Sequence, residues 1–223
     1  MQRKFTFAVG EYYHLYNRGN DKRVIFLDDC DRLRFLVLLY ACNDTAEVHL
    51  SNYQGKSLME LFDMEKRGSL VGVGAYCLMP NHFHLLVKEE TERGISVFMK
   101  KVLTGYSMYF NKKHSRSGKL FEGPFKATHV TDDRYLQYLF AYIHLNPVKT
   151  VNSADWEKKI ITAPKQAYDF LYRYPYSSFV DYLGNQRLER AIINPPAFPK
   201  YFASRREFAD YINDWIDYSE ESP

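Results

Sequence analysis

Apolar and polar positions along this chain change period several times, and each change marks an element. Residues 11–18 are aromatic-rich and stop at Gly19, which predicts a strand followed by a turn. Asp28 and Asp29 offer N-caps to a helix over about 30–43, where Leu33, Leu36 and Ala41 share a face. After a polar stretch over 43–68, with a short helix around 58–64, two apolar runs at 71–79 and 82–87 flank Pro80-Asn81, a turn dipeptide. They predict an antiparallel hairpin. Ile95, Phe98, Val102, Tyr106 and Tyr109 line one face of a helix over about 94–113, and Leu120 to Val130 reads as a strand. Thr131 or Asp132 then caps a helix over about 133–145, with Tyr135, Leu139 and Tyr142 in line and Pro147 ending it.

The order strand, helix, strand, strand, helix, strand is the split βαβ, ferredoxin-like pattern. It predicts an α+β fold with an antiparallel sheet, helices on one face and extra C-terminal helices. Residues 1–150 are expected to form the main domain and 151–223 a helical appendage, with short helices at about 164–172 and 205–217 among scattered prolines.

Composition narrows the class. An apolar share of 46% and a charged share of 26% are those of an ordinary globule, which excludes disordered and collagen-like chains. The longest apolar run, Phe35 to Cys42, is too short for a membrane span, and nothing in the first residues reads as an export signal. Cys30, Cys42 and Cys77 lack metal-site spacing and fit a reducing cytoplasm. The net charge of +3 hides an uneven distribution. Between Lys100 and Lys126, Lys100, Lys101, Lys112, Lys113, Arg116, Lys119 and Lys126 face the single Glu122, with Tyr106, Tyr109, Phe110, Phe121 and Phe125 interleaved. Cations for phosphates and rings for bases suit a nucleic-acid surface; a solvated helix face over a buried aromatic stripe gives the same pattern. From Arg205 onward the sign reverses, with six acids against two arginines.

Two constellations could carry chemistry. His82 and His84 are two apart on a strand and therefore share a face, a metal-ligand spacing that ordinary histidines also show. Tyr142 and Asn146 are four apart on a helix, so they share a face one turn from each other. An Asn146 oxygen could complete a His-His-Asn site for Mg²⁺ or Mn²⁺; the plain alternative is a packing tyrosine and a helix-stopping Asn-Pro. Asn17 and Arg18, after the first strand, suit phosphate or guanine recognition, or a charged turn. His14, on that strand, has no role beyond packing.

Four strings occur in order: His14-Leu15-Tyr16-Asn17-Arg18-Gly19-Asn20, Met79-Pro80-Asn81-His82-Phe83-His84-Leu85-Leu86-Val87, Gly118-Lys119-Leu120-Phe121-Glu122-Gly123 and Tyr142-Ile143-His144-Leu145-Asn146-Pro147-Val148-Lys149. Together they resemble the IS200-like family of tyrosine transposases, most closely the branch associated with repetitive extragenic palindromes. The resemblance covers about residues 11–150, and Tyr174-Pro175-Tyr176-Ser177-Ser178-Phe179 looks like the segment that follows in that branch. One departure is Pro124, where many relatives carry an arginine.

The resemblance implies a ferredoxin-like nuclease domain of the HUH type, metal-dependent, usually a dimer, acting on single-stranded DNA with a hairpin. It places the histidine pair on His82 and His84, the nucleophile on Tyr142 and the third metal ligand on Asn146. The expected reaction is nicking and rejoining of DNA through a 5′-phosphotyrosine link. Lys112, Lys113, Arg116 and Lys126, with Asn17 and Arg18, are the expected DNA contacts. A regulator that binds hairpins without cutting, and a phosphoesterase acting on small molecules, are the competing readings.

Overall fold

The computed structural model describes residues 6–48, 55–150 and 164–218. The first five residues, the expected domain boundary after residue 150 and the last acids of the tail lie outside them.

Alternation of inward and outward side chains builds four strands: β1 (Tyr12–Arg18), β2 (Val71–Met79), β3 (His82–Glu89) and β4 (Lys126–Val130). They form one sheet in the order β2-β3-β1-β4, every neighbouring pair antiparallel. This is the expected split βαβ arrangement, with β1 threaded between β3 and β4. The strand expected from Leu120 begins only at Lys126, because Gly123 takes a φ of 158° and Pro124 lacks an N–H. Phe121 keeps a single bridge to Gly19.

Two crossover helices, α1 (Asp29–Ala41) and α2 (Gly94–Lys113), cover one face. Phe35, Leu39, Phe98, Val102 and Tyr106 pack there on Tyr13, Leu15, Phe83, Leu85 and Val87. Asp28 caps α1 through the Asp31 N–H. Helix α3 (Asp133–Leu145), capped by Asp132, takes the opposite face, where Leu136, Leu139, Phe140 and Ile143 meet Ala75, Cys77, Met79, Leu86 and Val130. The expected single layer of helices therefore holds for the crossover pair, while α3 forms a second layer.

The C-terminal segment continues this second layer. Helices α4 (Pro164–Arg173), α5 (Phe179–Tyr182) and α6 (Arg205–Tyr218) bring Leu171, Phe179, Phe208, Ile212 and Ile216 against Ala141, Leu145 and Val148. Between α4 and α5 the chain pairs with the outer edge of β2: Leu78 N donates to Tyr176 O, and Ser178 N to Tyr76 O. Gly74 is needed here, since a Cβ would stand 2.6 Å from the ring of Phe198. Among the described residues no helix is long and apolar enough to cross a membrane.

Candidate active site

Strand register delivers the chemistry to the α3 face of the sheet. Arg18 stands opposite His82, Tyr16 opposite His84 and Lys126, and His14 opposite Leu86 and Thr128. Alternate residues share a face, so these side chains rise together. Above them α3 contributes Tyr135, Tyr138 and Tyr142 at spacings of three and four, one stripe of the helix. The result is a cleft of about 410 Å³ walled by His14, Tyr16, His84, Thr128, Tyr135, Tyr138, Leu139 and Tyr142. Larger hollows lie beneath the C-terminal segment (about 770 Å³) and between α1 and α2 (about 1120 Å³), but neither joins a nucleophile to imidazoles. Chemistry, not size, selects the site.

The Tyr142 ring meets His84 edge-on with centroids 5.6 Å apart, and His14 at 5.7 Å. The rings of His82 and His84 are 5.0 Å apart and perpendicular. The tyrosine and the histidine pair thus converge within one chain. Burial first, and then the neighbouring Tyr138, Tyr135 and Tyr16, push the Tyr142 phenol above its ordinary pKa, while Asn146 pulls it down. At neutral pH the phenol is protonated.

Asn146 ends α3, fully buried, and its Nδ2 donates to the Tyr142 carbonyl at 2.7 Å. The same side chain also reaches the Tyr142 phenol, as its effect on that group shows. His82 and Asn81 share a 2.7 Å hydrogen bond through His82 Nδ1, and Asn81 Nδ2 donates to Lys22 O. Among the described residues no cluster of three or more His, Cys, Asp or Glu could hold a metal. A cation here would be held by neutral donors, the His82 and His84 imidazoles with the Asn146 amide, and by oxygens of a substrate. That neutral set fits a divalent ion needing phosphate and water in its remaining positions.

The expected DNA contacts divide. Arg18 and Lys126 border the site, Arg18 paired with Glu122 at 2.9 Å and Lys126 lying 5.9 Å from the Tyr16 ring centre. Asn17 does not join them. It is buried on the other face, where Nδ2 donates to Gly123 O and Oδ1 accepts from Arg18 N. Lys112, Lys113 and Arg116 belong to α2 and its exit, on the far layer. Lys113 Nζ is bonded to Asp28 at 2.7 Å and Asp31 at 2.8 Å, and Arg116 Nη1 to Asn111 Oδ1 at 3.1 Å. Lys112 is exposed. Pro124 is exposed too, beside the Gly123 carbonyl that Asn17 holds.

The sequence reading missed His14. Its Nε2 lies 2.9 Å from His84 Nδ1, both rings are buried, and they stack at 5.1 Å. The available signal was its alternation with Tyr16 on the first strand; what was missing was the register that sets this strand beside the second of the hairpin.

The family described as "Transposase IS200 like" matches residues 10–146, a span that contains the whole cluster. No curated protein matches the chain. A solved structure of a REP-associated tyrosine transposase bound to a REP hairpin shares 12% identity, with 92% of each chain covered and a TM-score of 0.51. A tRNA(His) guanylyltransferase from Saccharomyces cerevisiae shares 10% identity over 90% of this chain and 86% of that one, at a TM-score of 0.37. At 12% identity the transposase structure speaks for the fold alone. The family match spans more than half of the sequence and encloses every element of the cleft, so this chain belongs to the IS200-like transposase family.

Proposed function

We propose that this chain cuts and rejoins single-stranded DNA beside hairpins, with Tyr142 as nucleophile and Mg²⁺ or Mn²⁺ held by His82, His84 and Asn146. The observation that carries this reading is the contact of Tyr142 with His84 in one cleft of one chain, inside the family match. A bound cation would polarise the scissile phosphate and favour the phenolate. Tyr142 Oη forms a bond to phosphorus, the bond to the 3′ oxygen breaks, and that oxygen leaves as a hydroxyl after taking a proton. The 5′ phosphate stays on the tyrosine. Attack by another 3′ hydroxyl reverses the step, so joining needs no nucleotide cofactor.

The surroundings support a DNA strand as the substrate. Tyr16, Tyr135 and Tyr138 offer rings to unpaired bases, and Arg18 and Lys126 offer charge to the backbone beside them. The hairpin bound by the similar transposase structure supports a hairpin as the landmark. A homodimer, the usual assembly in the family, would set two such clefts side by side. Cys30, Cys42 and Cys77 form no disulfide, which suits the cytoplasm, where this DNA would be met.

End-labelled hairpin oligonucleotides with Mn²⁺ test the reading. Protein should remain on the 3′ fragment, Tyr142→Phe should fold and lose turnover by at least about a thousand-fold, and His82→Ala with His84→Ala should abolish the metal-dependent cut. Tyr16→Phe is the control, because Tyr16 also lies near His14 (5.3 Å) and His84 (6.0 Å). An adduct on the 5′ fragment, or one still formed by Tyr142→Phe, overturns the assignment. Hairpin binding with no cutting by the native chain would favour the regulator instead.

A further inference from the structure

Both imidazoles of the histidine pair are engaged through the same ring nitrogen. His82 Nδ1 lies 2.7 Å from Asn81 Oδ1, and an amide oxygen only accepts, so His82 donates and its lone pair is on Nε2. The Asn81 amide cannot turn over without losing a bond, because its Nδ2 donates to Lys22 O at 3.1 Å. Lys22 presents that carbonyl from a backbone with a φ of 58°, directly after Asp21 at 56°. Two successive left-handed residues mark a turn whose shape the surroundings dictate.

His84 makes the matching contact from the other side. Its Nδ1 lies 2.9 Å from His14 Nε2, the rings are 22° from parallel, and the two residues are 7% and 6% exposed. Only one of these nitrogens can carry the proton. A proton on His14 would leave His84 with its own proton on Nε2, the reverse of His82. A proton on His84 gives both members of the pair an Nε2 lone pair.

We propose that His14 is a positioning residue: it accepts from His84 Nδ1–H, carries its own proton on Nδ1, and so holds His84 in the tautomer whose Nε2 can ligate a cation. The choice between the two tautomers rests on the function proposed above, since a cation needs both lone pairs; the hydrogen bond between the two rings does not. Ligand histidines are generally oriented by an acceptor on the other ring nitrogen, most often a carboxylate or carbonyl. Here Asn81 supplies it from the turn and His14 from the neighbouring strand. A neutral imidazole does so in a buried place without adding a charge, where a carboxylate would bring one.

Long-range ¹H–¹⁵N correlation of the imidazole nitrogens in the metal-free, full-length protein reads the tautomers directly. Both His82 and His84 should carry the proton on Nδ1. In His14→Ala, His84 should lose that fixed tautomer while His82 keeps it. Mn²⁺ binding followed by electron paramagnetic resonance should weaken about ten-fold or more in His14→Ala and recover in His14→Gln, whose amide oxygen can accept. Native His84 protonated on Nε2, or an unchanged His84 tautomer in His14→Ala, overturns the proposal. A tautomer that depends on His14 in a protein that binds no Mn²⁺ would uphold it and defeat the metal reading instead. His14→Gln and the native protein keep the test decisive if His14→Ala fails to fold.

Discussion

Tyr142 and His144 stand two residues apart on α3 and face opposite surroundings. Tyr142 lines the cleft, while His144 is fully buried with Nε2 2.7 Å from Ser178 Oγ. Burial, offset only slightly by the Phe140 carbonyl, pushes His144 down to about 3. The unfolded chain takes up this proton below about pH 6.5 and the folded chain refuses it. Stability is therefore complete above about 6.5 and falls as the pH drops toward 3, by up to about 1.4 kcal/mol per unit. At pH 5 the loss should be about 2 kcal/mol relative to pH 7.5. Urea midpoints at the two pH values would show it, and His144→Gln should flatten that part of the difference. An equal slope in the variant would assign the pH response to other groups. At this scale the His82–His84 and Tyr142–Asn146 spacings were legible, because a period of two and a step of four fix a shared face within one element. His14 was not, since its partner lies seventy residues away. Asn17 was misplaced for the same reason: its side chain answers to the Gly123 loop, a hundred residues on.

Among the elements, α1 was visible from its apolar periodicity and its cap and α2 from periodicity alone, whereas the start of β4 was obscured by Phe121 and Phe125, which pack on the core outside the strand. The basic run at the end of α2 divides by what each cation touches. Lys113 joins the two helices through Asp28 and the fully buried Asp31. Lys113→Met should therefore lower stability by about 2 kcal/mol, measured by chemical unfolding. His114, 3.1 Å from Asp31, limits the damage. Lys126 and Arg18 are the better test of DNA contact, since both border the cleft. Replacing each by alanine should reduce the slope of log affinity against log salt by about one unit per lost phosphate contact. Unchanged slopes would move the backbone path away from this rim. The two glycines of β2, strange in a buried strand, make sense once Ala197 is seen lying against Gly72 and Phe198 across Gly74.

For the whole molecule, the fold of residues 10–146 and its appendage share a core, and Arg187 is the tie between them. Its guanidinium bonds both oxygens of Asp181 at 2.7 Å, the Tyr76 hydroxyl at 2.8 Å and the Ser177 carbonyl at 2.6 Å. Asp181 is fully buried, so Arg187→Met would strand a carboxylate and should destabilise by about 3–5 kcal/mol. For a chain of this size that is a melting shift of roughly 10 °C, readable by calorimetry. A shift of a degree or two would mean that Asp181 finds another partner. Sequence patterning showed the appendage as short helices only, because what anchors it is a hydrogen-bonded edge and a buried ion pair, neither of which has a period.

The central place of β1 bears on how the molecule is made. Its partners are β3 on one side, with Tyr12 beside Lys88, and β4 on the other, with Tyr12 beside Val130. The β2–β3 hairpin can close locally; β1 must wait for distant chain to return to it, an entropically slow step. During synthesis, His82 and His84 therefore emerge on a hairpin well before Tyr142 does, and until that hairpin appears His14 waits on a strand with nothing to pair with. Between His84 and Tyr142 the growing chain holds the imidazoles of the cleft without its tyrosine. Whatever this site does to a DNA strand, it can begin only after the helix that carries Tyr142 has emerged and docked.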